Sequence, residues 1–439
     1  MTRPGPAARR LRPAWARLGL VLAMLALPSL TGCGSSGSGQ VVHVLGTWTG
    51  SEQDSFLAMV APFEERTGIK VDYQGSRNSD TILADRVANA TPPDLAVLSS
   101  PGKLLQYARA GRLVPLDDTL DLPAMTRQYG SSWLELGAVN GKQYAVFVKA
   151  SLKSLIWYSP KALNAHGLKP PASWDALRAS DQVIARSGVS PWCIGLESSS
   201  TSGWPGTDWL EDIVLAQSGP DVYSQWATGK LPWNSPQIKR AWQTWGEVIG
   251  APGLVHGDSR GMLLTNFGSA GAPLFGQPPG CYFEHAASFI SGYYQQGNSQ
   301  LKAGQDFDFT SFPSIDPAFN GSEEVAGDLL GMFHSTPGAR ELIAYLTTPQ
   351  AQQIWVARGG ALSPNREVPL TAYPADSLSR RLGQLLINAK TVRFDASDLM
   401  PDAMQSAFYR AALAYANAPA QLDTILTDLE RFRTTGYSQ

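Results

Sequence analysis

The amino-acid sequence predicts an α/β protein with two lobes and a mostly helical C-terminal third. Strand and helix patterns alternate along the chain in two successive regions. Roughly 400 residues follow the N-terminal apolar segment, which is more than one hydrophobic core usually holds, so two lobes are expected. Hydrophobic residues make up 43% of the chain, with no second long apolar run, which predicts a soluble globular body.

The first region has the order β-α-β-α-β. VVHVLGTW (41–48) is apolar and β-rich, and the helix pattern after it places Phe56, Val60 and Phe63 on one face, with Gly68 at the C-cap position. A second strand in IKVDYQG, a helix in SDTILADRVANA and a third strand in TPPDLAVLSS follow. This order is typical of parallel strands joined by helical crossovers.

The second region begins with residues 142–163, a stretch that is long for one strand and in which Pro160 ends the strand pattern. A helix in TDWLEDIVLAQSG is expected to begin at Thr207 or Asp208 as the N-cap. The other predicted elements are a helix in SWDALRASDQVIARSG, a strand in VSPWCIGLE, a helix in QIKRAWQTWGEVIG, a strand leading into a helix in GCYFEHAASFI, and a strand in FDFTSFPSI. Helical patterns fill the C-terminal third.

The N-terminus has the pattern of a secretory signal peptide. Its apolar run, residues 18–30, is shorter than the roughly 20 residues of a membrane span. Leu30-Thr31-Gly32-Cys33 resembles a bacterial lipobox, which predicts lipidation of Cys33; an ordinary cleavage site that contains a cysteine is the alternative. We expect a signal peptide in 1–32 and a lipid-anchored, flexible Gly/Ser tether in 33–40. The arginines that precede the apolar run are Arg3, Arg9, Arg10, Arg12 and Arg17.

The charge of the chain argues against nucleic acid and anionic lipid as partners, and its cysteine content allows one disulfide. Without the five leader arginines the chain has 30 basic and 37 acidic residues, a net charge of −7. No basic run predicts binding to nucleic acid, and a negative body does not favour anionic lipid. Export makes a disulfide between the other two cysteines, Cys193 and Cys281, possible; two free buried thiols are the alternative.

The sequence has few signs of catalysis. It contains no phosphate-binding loop, strand-linked G-x-G-x-x-G, H-E-x-x-H or G-x-S-x-G motif, and its histidines are scattered singly. Paired carboxylates could serve a glycosidase, but a sequence gives no separations between them. We therefore predict no catalytic residue, no cofactor and no metal.

Aromatic and polar residues alternate in turn-like segments. Trp48, Trp204 and Trp209 occur in GTWTGSEQD and GLESSSTSGWPGTDWLED, and CYFEHAASF has the same mixture. A sugar ring stacks on a flat aromatic side chain while charged and amide groups bond its hydroxyls, so this mixture suits carbohydrate. Packing of these tryptophans in the core is the alternative. It is weakest for Trp204, which lies between Gly203 and Pro205 on an expected loop.

Several stretches resemble the sugar-binding proteins of bacterial ABC importers, the extracellular solute-binding family 1. They are FEERTGIKVDY, TPPDLAVL, GRLVPLDD, SLIWYSPKAL and SFPSID, in the family's order. GTWTGSEQDSFLAMVAPFE, PWCIGLES, GWPGTDWLEDIVL and PPGCYFEHAASFI resemble its α-glucoside-binding branch, and with this branch signal we predict a Cys193–Cys281 disulfide. The chain departs from the pattern at Ala286, where the resemblance leads us to expect an amide.

The resemblance implies a type II periplasmic-binding-protein-like clamp. Each lobe is expected to be a mixed five-stranded sheet flanked by helices, with ligand in the cleft between the lobes, where open α/β sheets bind ligands. The expected lobes are 41–149 plus 313–362 and 150–312 plus 363–439. The hinge would be crossed three times, near 149–151, 309–313 and 361–365.

Strand ends and family positions together give the expected ligand-binding residues. Tyr409 aligns with a family aromatic that stacks on sugar, and Asp328 is expected at a strand start facing the hinge. The full set is Trp48, Thr49, Glu52, Arg77, Ser99, Ser100, Lys149, Lys153, Glu197, Trp204, Asp208, His285, Ser288, Asp328, Asp398 and Tyr409.

The resemblance also implies a function and its partners. We expect an exported monomer, lipid-anchored to the outer face of the cell membrane, that captures a small-molecule carbohydrate, an α-glucoside or other oligosaccharide, and delivers it to the transmembrane subunits of an ABC permease. A secreted glycoside hydrolase and a binding protein for a non-sugar solute are the alternatives.

Overall fold

The computed structural model describes residues 40–375 and 377–437. The predicted signal peptide, Cys33 and the tether as far as residue 39 lie outside the described residues. Within the described ranges, none of the helices combines the length and hydrophobicity that a membrane span requires.

The strands and helices follow the predicted alternation. The strands are β1 (Val41–Gly46), β2 (Lys70–Gly75), β3 (Leu95–Leu98), β4 (Ala138–Val139), β5 (Lys142–Gln143), β6 (Ala145–Leu152), β7 (Leu155–Tyr158), β8 (Trp192–Cys193), β9 (Phe283–His285), β10 (Asp308–Ser311), β11 (Ser322–Met332) and β12 (Thr391–Phe394). The helices before residue 300 are α1 (Ser51–Thr67), α2 (Ser79–Ala88), α3 (Pro101–Arg109), α4 (Leu122–Tyr129), α5 (Ser131–Leu136), α6 (Pro160–Ala165), α7 (Trp174–Arg186), α8 (Trp204–Ala227), α9 (Pro236–Ile249), α10 (Asp258–Leu264) and α11 (Ile290–Gly297). The later helices are α12 (Pro337–Leu346), α13 (Pro349–Arg358), α14 (Leu378–Asn388), α15 (Ala396–Leu399), α16 (Asp402–Asn417) and α17 (Leu422–Gly436).

The first sheet is built on the predicted β-α-β-α-β unit. Strand β1 lies between β2 and β3 and is parallel to both. Helix α1 buries Phe56, Val60 and Phe63 against this sheet and ends at Gly68, whose φ of 72° is the left-handed conformation of a helix C-cap. These predictions are confirmed. Strand β11 then pairs antiparallel with β3 and β6 and parallel with β12, which places the first crossing segment beside the sheet centre.

The second sheet has the order β10-β7-β9-β8. Helices α8, α9, α16 and α17 cover a tryptophan-rich core next to it, which buries Trp209 rather than exposing it. Cys193 of β8 and Cys281, just before β9, form a disulfide with Cα atoms 5.6 Å apart. The C-terminal helices therefore pack on the second sheet's side of the molecule.

Residues 142–163 form three strands and the start of α6, and the strand pattern ends before Pro160, as predicted. Three expectations about individual elements are wrong. Within the described residues the main sheets have six and four strands, not five each, because the eleven-residue β11 also pairs with β6 and β12. Helix α8 begins at Trp204, with Gly203 at the N-cap and Pro205 in the first turn, so Thr207 and Asp208 lie inside it. Asp328 lies in the middle of β11, at a register shift, not at a strand start.

The chain passes between the two sheets at segments that hydrogen-bond to one another. It leaves the first sheet after Leu152 and enters the second at Leu155. Ala150 and Leu362 exchange two backbone hydrogen bonds of 2.7 and 3.0 Å, and Phe312 N donates to Ser154 O at 2.8 Å. Strand β12 returns to the first sheet, within a range expected in lobe 2. The exact lobe boundaries stay a prediction.

Candidate functional site

A cavity of about 160 Å³ lies where the two sheets and their helices meet. The ends of β1 and β3, the first turns of α1, α2 and α8, the middle of β11 and the segment after β12 all contribute to its wall. Strand ends and helix N-termini meet there, as in other open α/β sheets. We call this cavity the cleft.

Most of the expected ligand-binding residues line the cleft. They are Trp48, Glu52, Arg77, Ser99, Lys149, Lys153, Trp204, Asp208, Asp328, Asp398 and Tyr409. These residues come from both halves of the chain, so the fold collects side chains that are up to 361 positions apart in the sequence.

Glu52 is the centre of the charged network on the first-sheet side. Its side chain is 7% exposed, and both carboxylate oxygens are engaged: Lys149 Nζ bonds Oε1, and Arg77 Nη2 lies 2.5 Å from Oε2. Burial alone would raise the pKa of Glu52, but the charges of Lys149 and Arg77 outweigh it and lower the pKa. Tyr293 donates to the same carboxylate at 3.2 Å. Glu52 is therefore a fixed, ionised acceptor.

Trp48 acts on the cleft through Asp328. Although Trp48 is among the lining residues, its ring is buried: it is 0% exposed and packs among Phe56, Tyr73 and Trp355. Its Nε1 donates to Asp328 Oδ2 at 2.9 Å, and Lys149 Nζ lies 3.3 Å from the same oxygen. The bulged β11 thus presents a carboxylate that two buried donors orient.

Lys153 holds the opposite side of the cleft. Its ammonium lies 2.8 Å from Asp208 Oδ2 and 2.9 Å from Asp395 Oδ2, with all three side chains buried. Burial raises the pKa of Asp208 to about 7 against the opposing charge of Lys153, and Asp395, on the same ammonium, has a lowered pKa. The lysine thus neutralises two carboxylates from different elements and fixes the start of α8 to the segment after β12.

Carboxyl groups accumulate behind Lys153. Oxygens of Asp208, Glu211 and Asp395 lie within 4.8 Å of one another, a set that could hold a metal ion. The Lys153 ammonium already supplies a positive charge to two of the three. Glu211 also accepts from Ala396 N at 2.6 Å, which ties α8 to the start of α15. Burial, together with the neighbouring carboxyl groups, raises the pKa of Glu211 and Glu324 well above the usual range.

An aromatic group forms the second-sheet side of the cleft. Trp204 is half-buried, and its ring centroid lies 5.0 Å from Phe267 and 6.1 Å from Phe289. Lys153 Nζ lies 4.8 Å from the Trp204 centroid. Tyr409, on α16, also lines the cleft and is partly exposed. These rings provide apolar faces beside fixed acceptors, which is the mixture a pyranose requires.

The remaining expected residues are not among those that line the cleft, and a role for them in ligand binding stays a prediction. Ser100 caps α3 by accepting from Lys103 N, and Ser288 accepts from Leu152 N. His285 is buried and bonds Asp212 at 2.7 Å behind the Trp204 ring. Glu197 is held outside by Ser199 N and Asn266 Nδ2, both at 2.6 Å. Thr49 precedes α1 and lies outside the lining.

Several lining residues were not expected from the sequence. Asp395 and Ser397 follow β12, a strand that the sequence pattern does not predict. The sequence therefore gives no sign that these residues lie at a strand end. Asp80 bonds Ser99 at 2.7 Å from the first turn of α2. Phe289 is the last residue of CYFEHAASF, and the aromatic and polar residues of that stretch are the sequence feature that points to it as a lining residue.

The comparisons with known proteins decide the family. A family model described as bacterial extracellular solute-binding protein matches residues 49–353, which include most of the cleft. The chain belongs to this family.

Relatives of the same family agree over most of the chain. The osmoprotective compounds-binding protein GgtB of Synechocystis sp. is 35% identical over 417 residues, which are 94% of this chain and 97% of that protein. The alpha-glucosides-binding periplasmic protein AglE of Rhizobium meliloti is 34% identical over 83% of this chain and 80% of its own length.

A solved structure has the same fold. A chitin oligosaccharide binding protein superimposes with a TM-score of 0.79 at 16% identity, over 92% of this chain and all of that one. The fold of this family member is therefore the two-lobe, type II clamp of periplasmic binding proteins, as predicted.

Proposed function

We propose that this solute-binding protein reversibly captures a carbohydrate, an α-glucoside or other oligosaccharide, in the cleft and delivers it to an ABC permease. The observation that carries the proposal is the lining itself. The partly exposed Trp204 and Tyr409 rings stand beside the oriented carboxylates of Glu52, Asp208 and Asp328. Ring faces receive the C–H side of a pyranose, and fixed carboxylates accept its hydroxyl protons. The α-glucosides that name the relative AglE support this ligand class.

We infer a receptor rather than a glycoside hydrolase. A hydrolase needs one carboxyl group that protonates the leaving oxygen and a second that attacks or activates water. In the cleft, Glu52 is ion-paired to Lys149 and Arg77, and Asp395 is ion-paired to Lys153. These partners hold both carboxylates ionised and immobile, which suits hydrogen bonding to hydroxyls better than proton transfer. A non-sugar solute stays the second alternative.

The proposal includes export and anchoring. Residues 1–32 would be removed as a signal peptide. Lipidated Cys33 and the tether to residue 40 would then hold the protein on the outer face of the membrane. Anchoring would keep the monomer close to its permease, at a high local concentration. The lobes would be 41–149 plus 313–362 and 150–312 plus 363–439, except that β12 returns to the sheet of the first lobe. Cys33→Ala should release the protein from the membrane fraction or leave it uncleaved. Cleavage and anchoring as in the wild type would contradict lipidation.

A thermal-shift screen over about 50 sugars tests the ligand class. A ligand at 100 times its Kd stabilises the folded state by roughly 2.7 kcal/mol, which is easily measured. The proposal expects at least one α-glucoside to raise the melting temperature. Chromatography of the incubated sugar then distinguishes the receptor from the hydrolase, since a receptor returns the sugar unchanged.

A further inference from the structure

A second cavity, of about 210 Å³, lies apart from the cleft and shares no lining residue with it. It is enclosed by α8, by the segment after β10 and by the start of β11. Its wall is mixed: apolar side chains such as Phe312 and Phe319 form part of it, and the oxygen-bearing side chains are Asp212, Glu323, Asn320, Ser154, Ser311, Ser314 and Ser322. We call it the hinge cavity, because the chain passes between the two sheets on both sides of it.

Glu323 supplies a buried carboxyl group to the hinge cavity. Its side chain is 3% exposed, and its Oε2 has no hydrogen-bond partner among the described residues. Burial and the charge of Asp212 raise the pKa of Glu323 to about 8, against a hydrogen bond between Ser311 and the same carboxyl group. A buried acceptor without a partner is costly, so this oxygen points to a ligand that it would bind.

The side chains of His285 and Ser154 hold the carboxylate of Asp212 in place. His285 Nε2 lies 2.7 Å from its Oδ2, and Ser154 Oγ donates to its Oδ1. The residues that line the cavity, all within the described ranges, include no lysine or arginine. The Lys390 side chain passes beside Gly321, but no ion pair joins it to either carboxyl group among the described residues.

We propose that the hinge cavity binds a calcium ion between Asp212 and Glu323. Calcium takes six to eight oxygen ligands in irregular geometry, and carboxylates, an amide and hydroxyls are such ligands. Two carboxylates balance its charge. Magnesium demands a near-octahedral set and gives up its waters reluctantly, which fits this mixed wall less well. The ion would tie α8, which packs with the second sheet, to a strand of the first.

Titration calorimetry of the full chain with calcium chloride, after removal of metal with EDTA, tests the site. We expect one calcium per chain, with weaker binding of magnesium chloride. Glu323→Gln should weaken calcium binding at least tenfold, and Asp212→Asn should do the same. Because Glu323 already holds its proton at neutral pH without the ion, its amide variant should fold.

Glu324→Gln is the matched control. Glu324 is the next residue of β11 and does not line the hinge cavity. Burial, followed by the charges of Glu211 and Asp212, raises its pKa, so a neutral amide should replace its carboxyl group with little change in charge. Its substitution should leave calcium affinity within about twofold to threefold. No saturable calcium binding, equal binding of magnesium, or wild-type affinity in folded Glu323→Gln would overturn the proposal. A larger loss in Glu324→Gln than in Glu323→Gln would place the ion beside Lys153 and would also overturn it.

Discussion

The ammonium nitrogen of Lys153 lies 4.8 Å from the ring centroid of Trp204, while it also bonds the carboxylates of Asp208 and Asp395. A cation at this distance from an indole is attracted to the ring, and more strongly where water is excluded. Trp204 is therefore oriented by a buried lysine on one side and by Phe267 and Phe289 at its edges. This contact joins Lys153, in the segment after β6, to Trp204, the first residue of α8.

Replacement of Trp204 tests the stacking role of this ring. Trp204→Ala should weaken binding of the best sugar from the screen by about 5- to 150-fold, by analogy with the roughly 1–3 kcal/mol of base–aromatic stacking. Calorimetry measures the affinity, and a denaturant melt measures the free energy of unfolding. Since the ring is half-buried, the loss of stability should be below the roughly 3–5 kcal/mol of a core tryptophan.

Trp245→Ala is the control for Trp204→Ala. Trp245 is 0% exposed in the core of the second sheet's side and does not line the cleft. This variant should lose stability and keep its sugar affinity. If Trp204→Ala behaves like Trp245→Ala, the ring belongs to the core and not to the site.

Glu52→Gln should destabilise the protein and weaken sugar binding together. The substitution removes the negative charge that faces the buried ammonium of Lys149. Loss of one partner of a buried ion pair should lower the free energy of unfolding by about 3–5 kcal/mol. Because the folded-state pKa of Glu52 is lowered, its contribution is present above pH 4.5 and is lost as the pH falls. Melts at pH 7 and pH 3 should therefore differ less in Glu52→Gln than in the wild type. Asp54→Asn, exposed on the same helix, should change stability by no more than about 0.5 kcal/mol.

Burial of the Glu284 carboxyl group should make the free energy of unfolding decrease as the pH rises. Its pKa is raised to about 8 by burial, against a hydrogen bond from Tyr294. The unfolded chain releases this proton near pH 4.5 and the folded chain only near pH 8. Stability should thus fall by up to about 4 kcal/mol between pH 5 and pH 8. Glu284→Gln should remove this part of the pH dependence in denaturant melts, and exposed Glu247→Gln should not. An unchanged slope in Glu284→Gln would contradict this prediction.

The Cys193–Cys281 disulfide should contribute on the order of 4 kcal/mol by restricting the unfolded chain. Reduction should lower the denaturant midpoint without changing the fold. Intact-mass analysis after alkylation checks the bond itself. Two alkylated thiols in the unreduced protein would contradict the bond.

Local sequence patterns predict the parts of the fold that local chemistry determines. The β1-α1-β2-α2-β3 unit and the end of α1 at Gly68 follow from hydrophobic period and a left-handed cap. The N-cap of α8 was predicted four or five residues late, because Trp204-Pro205 resembles a loop, although proline is favoured in a first helical turn. Strand β12 is short, and its pairing with β11 across about 70 residues leaves no local signal.

The site was predictable in its first-sheet half and less so elsewhere. Glu52 and Arg77 follow the ends of β1 and β2, which the pattern predicts, and Lys149 lies inside β6 near the predicted first crossing. Trp48 follows a strand and lines the cleft as predicted, but its position in the sequence does not reveal that the indole packs in the core and donates to Asp328. The convergence of Asp208, Glu211 and Asp395 on Lys153 depends on the packing of α8 against the segment after β12, which no spacing in the sequence gives.

Calorimetric titration of the purified mature protein with maltose, trehalose and sucrose, followed by chromatography of the recovered sugar, distinguishes a carbohydrate receptor from a hydrolase. We predict saturable binding of one sugar per chain for at least one of them, with the sugar recovered unchanged and affinity reduced in Trp204→Ala. No saturable binding of any sugar in these titrations or in the wider screen, or recovery of hydrolysed sugar, would contradict it.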